Sequence, residues 1–214
     1  MAQSLSILKA MLKKHLLFLI LIISLGIINC YDLNLVVFTF LNKQHTLLPN
    51  TFWRLINSLS YIKYGILPII LFISTFYIDK KYIKLVVILY MVNLLFLTIL
   101  KDTIIEARPY VVLAQDGVFW LNYAENAIKN AYKSFPSGHT GNMAIFVFIF
   151  LKILDLKQYK HQTKYKYCLL LLLFLTAITR VITGWHWPID VIFAMVLAYF
   201  IVELGFLIHT LYYK

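Results

Sequence analysis

The chain has 214 residues, 62% of them hydrophobic and 14% charged, with a formal net charge of +11. Several apolar runs approach the roughly 20 residues of helix needed to cross a hydrocarbon core, which excludes an ordinary soluble enzyme and defines a polytopic, all-α membrane protein. The charge does not signal nucleic acid, because the basic residues stand at the ends of apolar runs, where anionic head groups and membrane orientation account for them.

A basic lead with Lys9, Lys13 and Lys14 opens the first predicted span, at 12–30. It has the charge and apolar core of a signal peptide but no small-residue cleavage site, and Asn29 stands before Cys30 where lipoprotein processing wants a small residue. The segment is therefore expected to be retained as a helix. Residues 31–60, with Asp32, Lys43, Pro49, Trp53 and Arg54, read as interfacial helix or loop, since polar residues interrupt them every few positions. Further spans are predicted at 62–78, 82–100, 138–154, 168–184 and 188–211, which makes a bundle of six transmembrane helices. Residues 101–137 form a long connection and 155–167 a basic aqueous loop. No repeat or linker divides the chain, so 1–214 reads as a single domain.

With the N-terminus in the cytoplasm, this layout puts twelve Lys and Arg residues on the cytoplasmic side and eight outside, and three of those eight lie in polar motifs. That bias agrees with the positive-inside rule. Cys30 and Cys168 then fall on opposite faces and are not expected to pair, and two cysteines give no metal-type cluster.

Three polar stretches interrupt the oily background: Lys101 through Pro109, Pro136 through His139, and Arg180 through Asp190. The first closes the third span, the second opens the fourth, and the third bridges the fifth and sixth. All three therefore emerge on the non-cytoplasmic face, as one composite site requires. Lys101 and Arg108 are seven apart and share a face if the helix continues, although Pro109 disfavours helix beyond Arg108. Arg108 offers a planar fork of donors to phosphate oxygens and Lys101 a point charge. Asp102 and Glu106 read as solvated neighbours or salt partners. Ser137 and Gly138 precede an apolar helix, whose free N–H groups and positive end attract an anion, with His139 in the first turn.

Pro188 suits the first position of the last helix, which brings Asp190 within reach of His186, four residues earlier. A carboxylate on one ring nitrogen leaves the other free to attack, and Arg180 adds a further clamp. Taken singly, each stretch also has a bland reading: cations snorkelling to head groups, an ordinary Pro-Ser-Gly turn, a His and Asp capping a helix. Two histidines and an aspartate could instead hold a metal. Lys101, Arg108 and Arg180 argue against that, because three cations repel a divalent ion while attracting a phosphate. No metal or other cofactor is expected. The residues alone do not decide which histidine attacks and which protonates.

In order and interval, K-x6-R-P, then P-S-G-H, then R-x5-H-x3-D resembles the type 2 phosphatidic acid phosphatase superfamily of membrane lipid phosphatases. The resemblance extends over the six-span layout but leaves residues 1–60 without a distinctive signature. It departs from the family at Thr179, where serine is usual, though threonine keeps the hydroxyl. The resemblance implies that His186 attacks phosphorus to form a phosphohistidine, that Asp190 orients it, and that His139 protonates the leaving oxygen. It further implies that Lys101, Arg108, Ser137, Gly138 and Arg180 bind the phosphoryl oxygens.

The expected activity is metal-independent removal of phosphate from a lipid phosphate or diphosphate at the outer face of the cell (inner) membrane. Undecaprenyl diphosphate, phosphatidylglycerophosphate, phosphatidic acid and lipid A are the candidate substrates. Residues 110–135, with Trp120, Tyr123, Lys129 and Lys133, are expected to shape that choice. The competing readings are a lipid phosphotransferase using the same site and an anion transporter. A transport path calls for polar groups through the depth of the bundle, and only Glu203 and His209 in the last span answer to that. Beyond the membrane and its lipid substrate no partner is implied, nucleic acid included, and no oligomeric state follows.

Overall fold

The computed structural model describes residues 31–59, 66–122, 130–160 and 162–212. The described residues are helical apart from loops and one isolated parallel bridge between Glu106 and Lys133. In chain order the α-helices are α1 (Tyr31–Asn42), α2 (Asn50–Leu59), α3 (Ile66–Asp79), α4 (Ile83–Thr103), the short α5 (Pro109–Val112), α6 (Gly138–Leu156), α7 (Gln162–Ile182) and α8 (Pro188–Tyr212). Short 3₁₀ turns over Lys43–Leu47 and Lys80–Tyr82 join α1 to α2 and α3 to α4.

Four described stretches are long and apolar enough to cross a membrane: Ile69–Thr103, Gly138–Leu156, Gln162–Ile182 and Pro188–Tyr212. The first is broken by the Lys80–Tyr82 turn into α3 and α4. The span expected at 12–30, with Cys30, lies outside the described residues, and Cys168 is an exposed free thiol on α7. Helix α7 begins at Gln162, inside the segment expected to be an aqueous loop at 155–167. Its first turns carry exposed Lys164 and Lys166, and an α-helix satisfies its own backbone in water as well as in lipid, so loss of apolar character does not end it.

Helix α6 is the centre of the bundle. Buried residues make up 61% of its most apolar window, against 28 to 44% in the other three stretches. It packs against α3, α4, α7 and α8, and Met143, Ala144, Ile145, Val147, Ile149 and Ile153 are completely covered. Helices α3 and α4 instead turn Ile69, Phe72, Phe76, Ile88, Met91 and Leu95 outward, as a lipid-facing surface requires. A Cβ on Gly205 of α8 would lie 2.2 Å from a Leu89 methyl, so α4 and α8 approach through a missing side chain. Towards the C-terminal end of α6, part-buried Lys152 donates to both carboxylate oxygens of Glu203 on α8, at 2.7 and 2.9 Å. Glu203 is thus tied into a helix–helix contact, and the His209 ring lies tilted against Tyr82 with centroids 5.5 Å apart. Near the α3–α4 turn, Asp79 pairs with Lys157 at 2.6 Å.

The chain reverses at each turn, so the C-terminal ends of α4 and α7 and the N-terminal ends of α6 and α8 gather at one end of the bundle. Residues 31–59 close that end from the side. Asn34 accepts the N–H of Ile189 at the start of α8, satisfying a donor that the helix cannot. Asn42 donates to the carbonyls of Phe119 and Ile182 and accepts the Phe119 N–H, which pins the connection after α5 to the end of α7.

Candidate active site

Helix α7 ends in a glycine-dependent turn that aims the histidine. The Gly184 N–H donates to the Val181 carbonyl and the Trp185 N–H to the Arg180 carbonyl, the paired bonds of a Schellman motif, with Gly184 at φ +76°. The His186 N–H also donates to the Arg180 carbonyl, so the ring is held by the helix that carries the arginine. A Cβ on Gly184 would stand 2.6 Å from the Phe119 carbonyl oxygen. Gly184→Ala is therefore expected to cost roughly 1–2 kcal/mol for the left-handed backbone alone, and more for the collision. Thermal unfolding in detergent will register the loss as a lower Tm, together with reduced turnover as His186 moves.

His186, Asp190, Arg108 and Arg180 are buried together. Asp190 Oδ2 lies 3.2 Å from His186 Nδ1 and accepts from the Trp187 N–H at 2.9 Å and the Ser134 hydroxyl at 2.6 Å. On the far side of the ring, Arg108 Nη1 is 3.2 Å from Nε2. A guanidinium has donors only, so Nε2 presents its lone pair and the ring proton sits on Nδ1, facing the carboxylate. Burial first, then Arg108, Arg180, Lys101 and His139, hold the His186 pKa well below the usual histidine range and keep the ring neutral.

Lys101 and Arg108 do meet, but not on a common helix face. Helix α4 stops at Thr103, the Ile104 N–H closes its last turn on the Leu100 carbonyl, and Ile104 and Arg108 are extended. Arg108 then caps α5, whose first residue is Pro109, in keeping with the preference of the residue before proline. The extended segment pairs with residues 130–134, through Arg108 N–H to the Ala131 carbonyl and Ser134 N–H to the Glu106 carbonyl. The Arg108 fork donates to the carbonyls of Asn130 at 2.8 Å, Trp185 at 2.7 Å and Lys133 at 2.9 Å, and it lies over the Trp185 ring. Lys101 Nζ donates to the same Lys133 carbonyl at 3.1 Å, and its Cε passes within 3.5 Å of where a Gly138 Cβ would be. Burial and the Arg180 charge lower the Arg108 pKa to about 10, which leaves it charged at neutral pH.

Ser137 caps α6, its Oγ 3.0 Å from Thr140 Oγ1, while its N–H donates to the Asp190 carbonyl. Helices α6 and α8 are therefore stitched together at their N-termini. His139, half-buried in the first turn of α6, is close enough to Lys101, Arg108, Arg180 and His186 to interact with all four. Thr179 turns its hydroxyl onto the Leu175 carbonyl at 2.6 Å, along its own helix rather than towards the cations. Every candidate residue thus belongs to this end of the bundle.

Three contributors were not singled out in the sequence. Asn57 of α2 accepts from Arg180 through a very short hydrogen bond, Ser134 holds Asp190, and the backbone carbonyls of 130–133 hold Arg108 and Lys101. An asparagine buried in an otherwise amphipathic helix is the one signal that points to Asn57; carbonyls leave none. Asp102, read as a salt partner, pairs with Lys133 at 2.5 Å. Trp120 stacks on Tyr110 with centroids 4.5 Å apart, and both stand beside Trp185, making an aromatic wall next to the cations. Tyr123 and Lys129 lie outside the described residues. Among the described residues no group of three His, Cys, Asp or Glu side chains is arranged to hold a metal ion.

The sequence profile of the PAP2 superfamily matches residues 81–213, well over half of the chain and all three polar motifs. The chain belongs to the PAP2 superfamily. It is a membrane-embedded hydrolase of the phosphatase class. Two solved structures share the fold. The crystal structure of Aquifex aeolicus LpxE superposes with a TM-score of 0.64 at 24% identity, over 81% of this chain and 94% of that one. A transmembrane PAP2 type phosphatidylglycerolphosphate phosphatase from Bacillus subtilis gives 0.66 at 21% identity, over 96% and 94%. No curated protein sequence matches.

Proposed function

We propose that this PAP2 protein hydrolyses a lipid phosphate monoester or diphosphate at the non-cytoplasmic face of the cell membrane, through a phosphohistidine at His186 and without a metal. The observation that carries this reading is the double constraint on the His186 ring, with Nδ1 against Asp190 and the Nε2 lone pair facing Arg108. Lys101, Arg108 and Arg180, with Ser137 and the Gly138 N–H at the start of α6, take the phosphoryl oxygens. Arg108 Nη1 then exchanges Nε2 for an oxygen. Nε2 attacks phosphorus, forming an N–P bond as the bond to the leaving oxygen breaks, and His139 gives that oxygen a proton. Water next attacks the phosphohistidine and returns a proton to His139, the N–P bond breaks, and inorganic phosphate leaves. The cations neutralise the charge that spreads over the equatorial oxygens, the part a metal plays in other phosphoryl transfers.

A lipid substrate fits because the site sits at the end of a bundle whose outer surface is apolar, so an acyl or prenyl tail can stay in hydrocarbon while the head group reaches the cations. The distribution of Lys and Arg supports the orientation with the N-terminus cytoplasmic. The test is phosphate release by detergent-purified protein, with a chelator present, from undecaprenyl diphosphate, phosphatidylglycerophosphate, phosphatidic acid and lipid A. Denaturing turnover mixtures with detergent at alkaline pH should trap label on the protein as a phosphoramidate, stable to alkali and lost on acidification. Release that ends on adding chelator would overturn the metal-free route. A phosphorylated lipid acceptor in place of free phosphate would make the protein a phosphotransferase.

A further inference from the structure

Glu106 occupies a place that its sequence position as a loop acid does not suggest. It lies two residues before Arg108 in the extended segment paired with 130–134, and in extended backbone residues two apart face the same side. Arg108 uses that side to reach His186, and Glu106 uses it to come beside Asp190, so the two carboxyls interact as like charges within hydrogen-bonding reach. Asp190 is fully buried; its Oδ2 accepts three bonds, whereas its Oδ1 receives no donor from the described residues. Two ionised carboxylates hold no hydrogen to share, and an orphaned buried carboxylate oxygen is costly.

We propose that Glu106 works in its protonated form as a positioning residue, donating its carboxyl hydrogen to Asp190 Oδ1 and so fixing the carboxylate that orients His186. This rests on His186 and Asp190 being the reacting pair. The other charged groups around the two carboxyls are Lys101 from α4, Arg108 on the same segment, Arg180 from α7, and His139 and His186. Lys133, bridged to Glu106 through the backbone, has its ammonium on Asp102. None of these supplies a donor to Oδ1, and the cations favour one negative charge on the pair rather than none. Burial and the Asp190 charge push the Glu106 pKa up to about 8, so the proton is held at neutral pH and lost as pH rises through that value. Above it two adjacent carboxylates repel, Asp190 turns away from the ring, and turnover falls.

The experiment is a pH–rate profile of wild type, Glu106→Gln, Glu106→Ala and His186→Ala on one lipid phosphate in detergent, with thermal unfolding of each from pH 6 to 9.5. Glutamine keeps a donor that does not titrate. It should stay within a few-fold of wild type at pH 7 and exceed it at pH 9, while alanine, which removes a hydrogen bond to a charged group, should lose about 10- to 100-fold at pH 7 and stand closer to wild type at pH 9. Wild-type Tm should fall from pH 7 to 9 relative to the glutamine variant, a readout independent of activity. The proposal is overturned if glutamine is as slow as alanine at pH 7, or if wild type and the glutamine variant have superimposable rate and Tm profiles. Full activity in His186→Ala would instead overturn the phosphohistidine reading on which it rests.

Discussion

His186→Ala should slow phosphate release on the order of 10⁴-fold or more, with the protein still folded. The imidazole presents the Nε2 lone pair beside Arg108, and every other proposed contributor either orients that ring or acts on the phosphate while it is being transferred to that nitrogen. The losses should therefore not add: His186→Ala combined with Asp190→Ala should be no slower than His186→Ala alone, as for groups that act as one unit. Asp190→Asn, which keeps the shape and removes the charge, should cost about 10²- to 10⁴-fold by unsettling the tautomer. The pH dependence carries a sign as well. Because burial and four neighbours depress the His186 pKa below the histidine value of 6.5, the ring stays neutral at and under pH 6.5, and its contribution is lost only as pH falls through the depressed value. An acid limb at or above pH 6.5 that vanished with His186 would contradict a neutral nucleophile.

Arg108→Lys should be nearly as damaging as outright removal, although it conserves the charge. The guanidinium meets three carbonyls on two segments and the His186 ring at once, and an ammonium on a flexible stem has neither the reach nor the planar fork to replace it. A drop in kcat/KM of about 10²- to 10³-fold is expected, accompanied by a lower Tm, since carbonyls of Asn130, Trp185 and Lys133 lose a charged donor worth roughly 1.5–3 kcal/mol apiece before relaxation. The pairing of the two losses separates this residue from one that only attracts substrate. A lysine variant with wild-type Tm and a raised KM alone would show that the fork is not structural.

Much of the site was legible because its chemistry is carried by side chains of a few types at fixed spacing. Asp190 four residues after His186, with proline between them, leaves little choice about where a helix begins and what the carboxylate reaches, and that is the geometry found. Lys101 and Arg108 were legible as a pair but not in their mode of meeting: the seven-residue spacing gives a shared face only if the helix runs on to Arg108, whereas α4 ends at Thr103 and a non-helical segment, extended at Ile104 and Arg108, carries the chain to Pro109. Two-residue periodicity, not helical periodicity, governs that segment, and this is why Glu106 appeared to be a solvated acid. Asn57, Ser134 and the carbonyls of 130–133 were illegible for a different reason. They act through backbone atoms or through partners more than fifty residues away, and nothing local marks such contacts.

Three asparagines of the first described helices bear on how separable this enzyme is into parts. The family profile begins at residue 81, yet Asn34 completes the start of α8, Asn42 ties down the strand of chain over the aromatic wall, and Asn57 holds Arg180. A shortened gene encoding only the profile would still contain all eight residues of the proposed catalytic and phosphate-binding set, and it would expose them to water or lipid where amide groups now stand. The hereditary signature and the working unit therefore have different edges. Grafting these three motifs onto another bundle will need donors and acceptors equivalent to those asparagines before the motifs themselves can be expected to turn over.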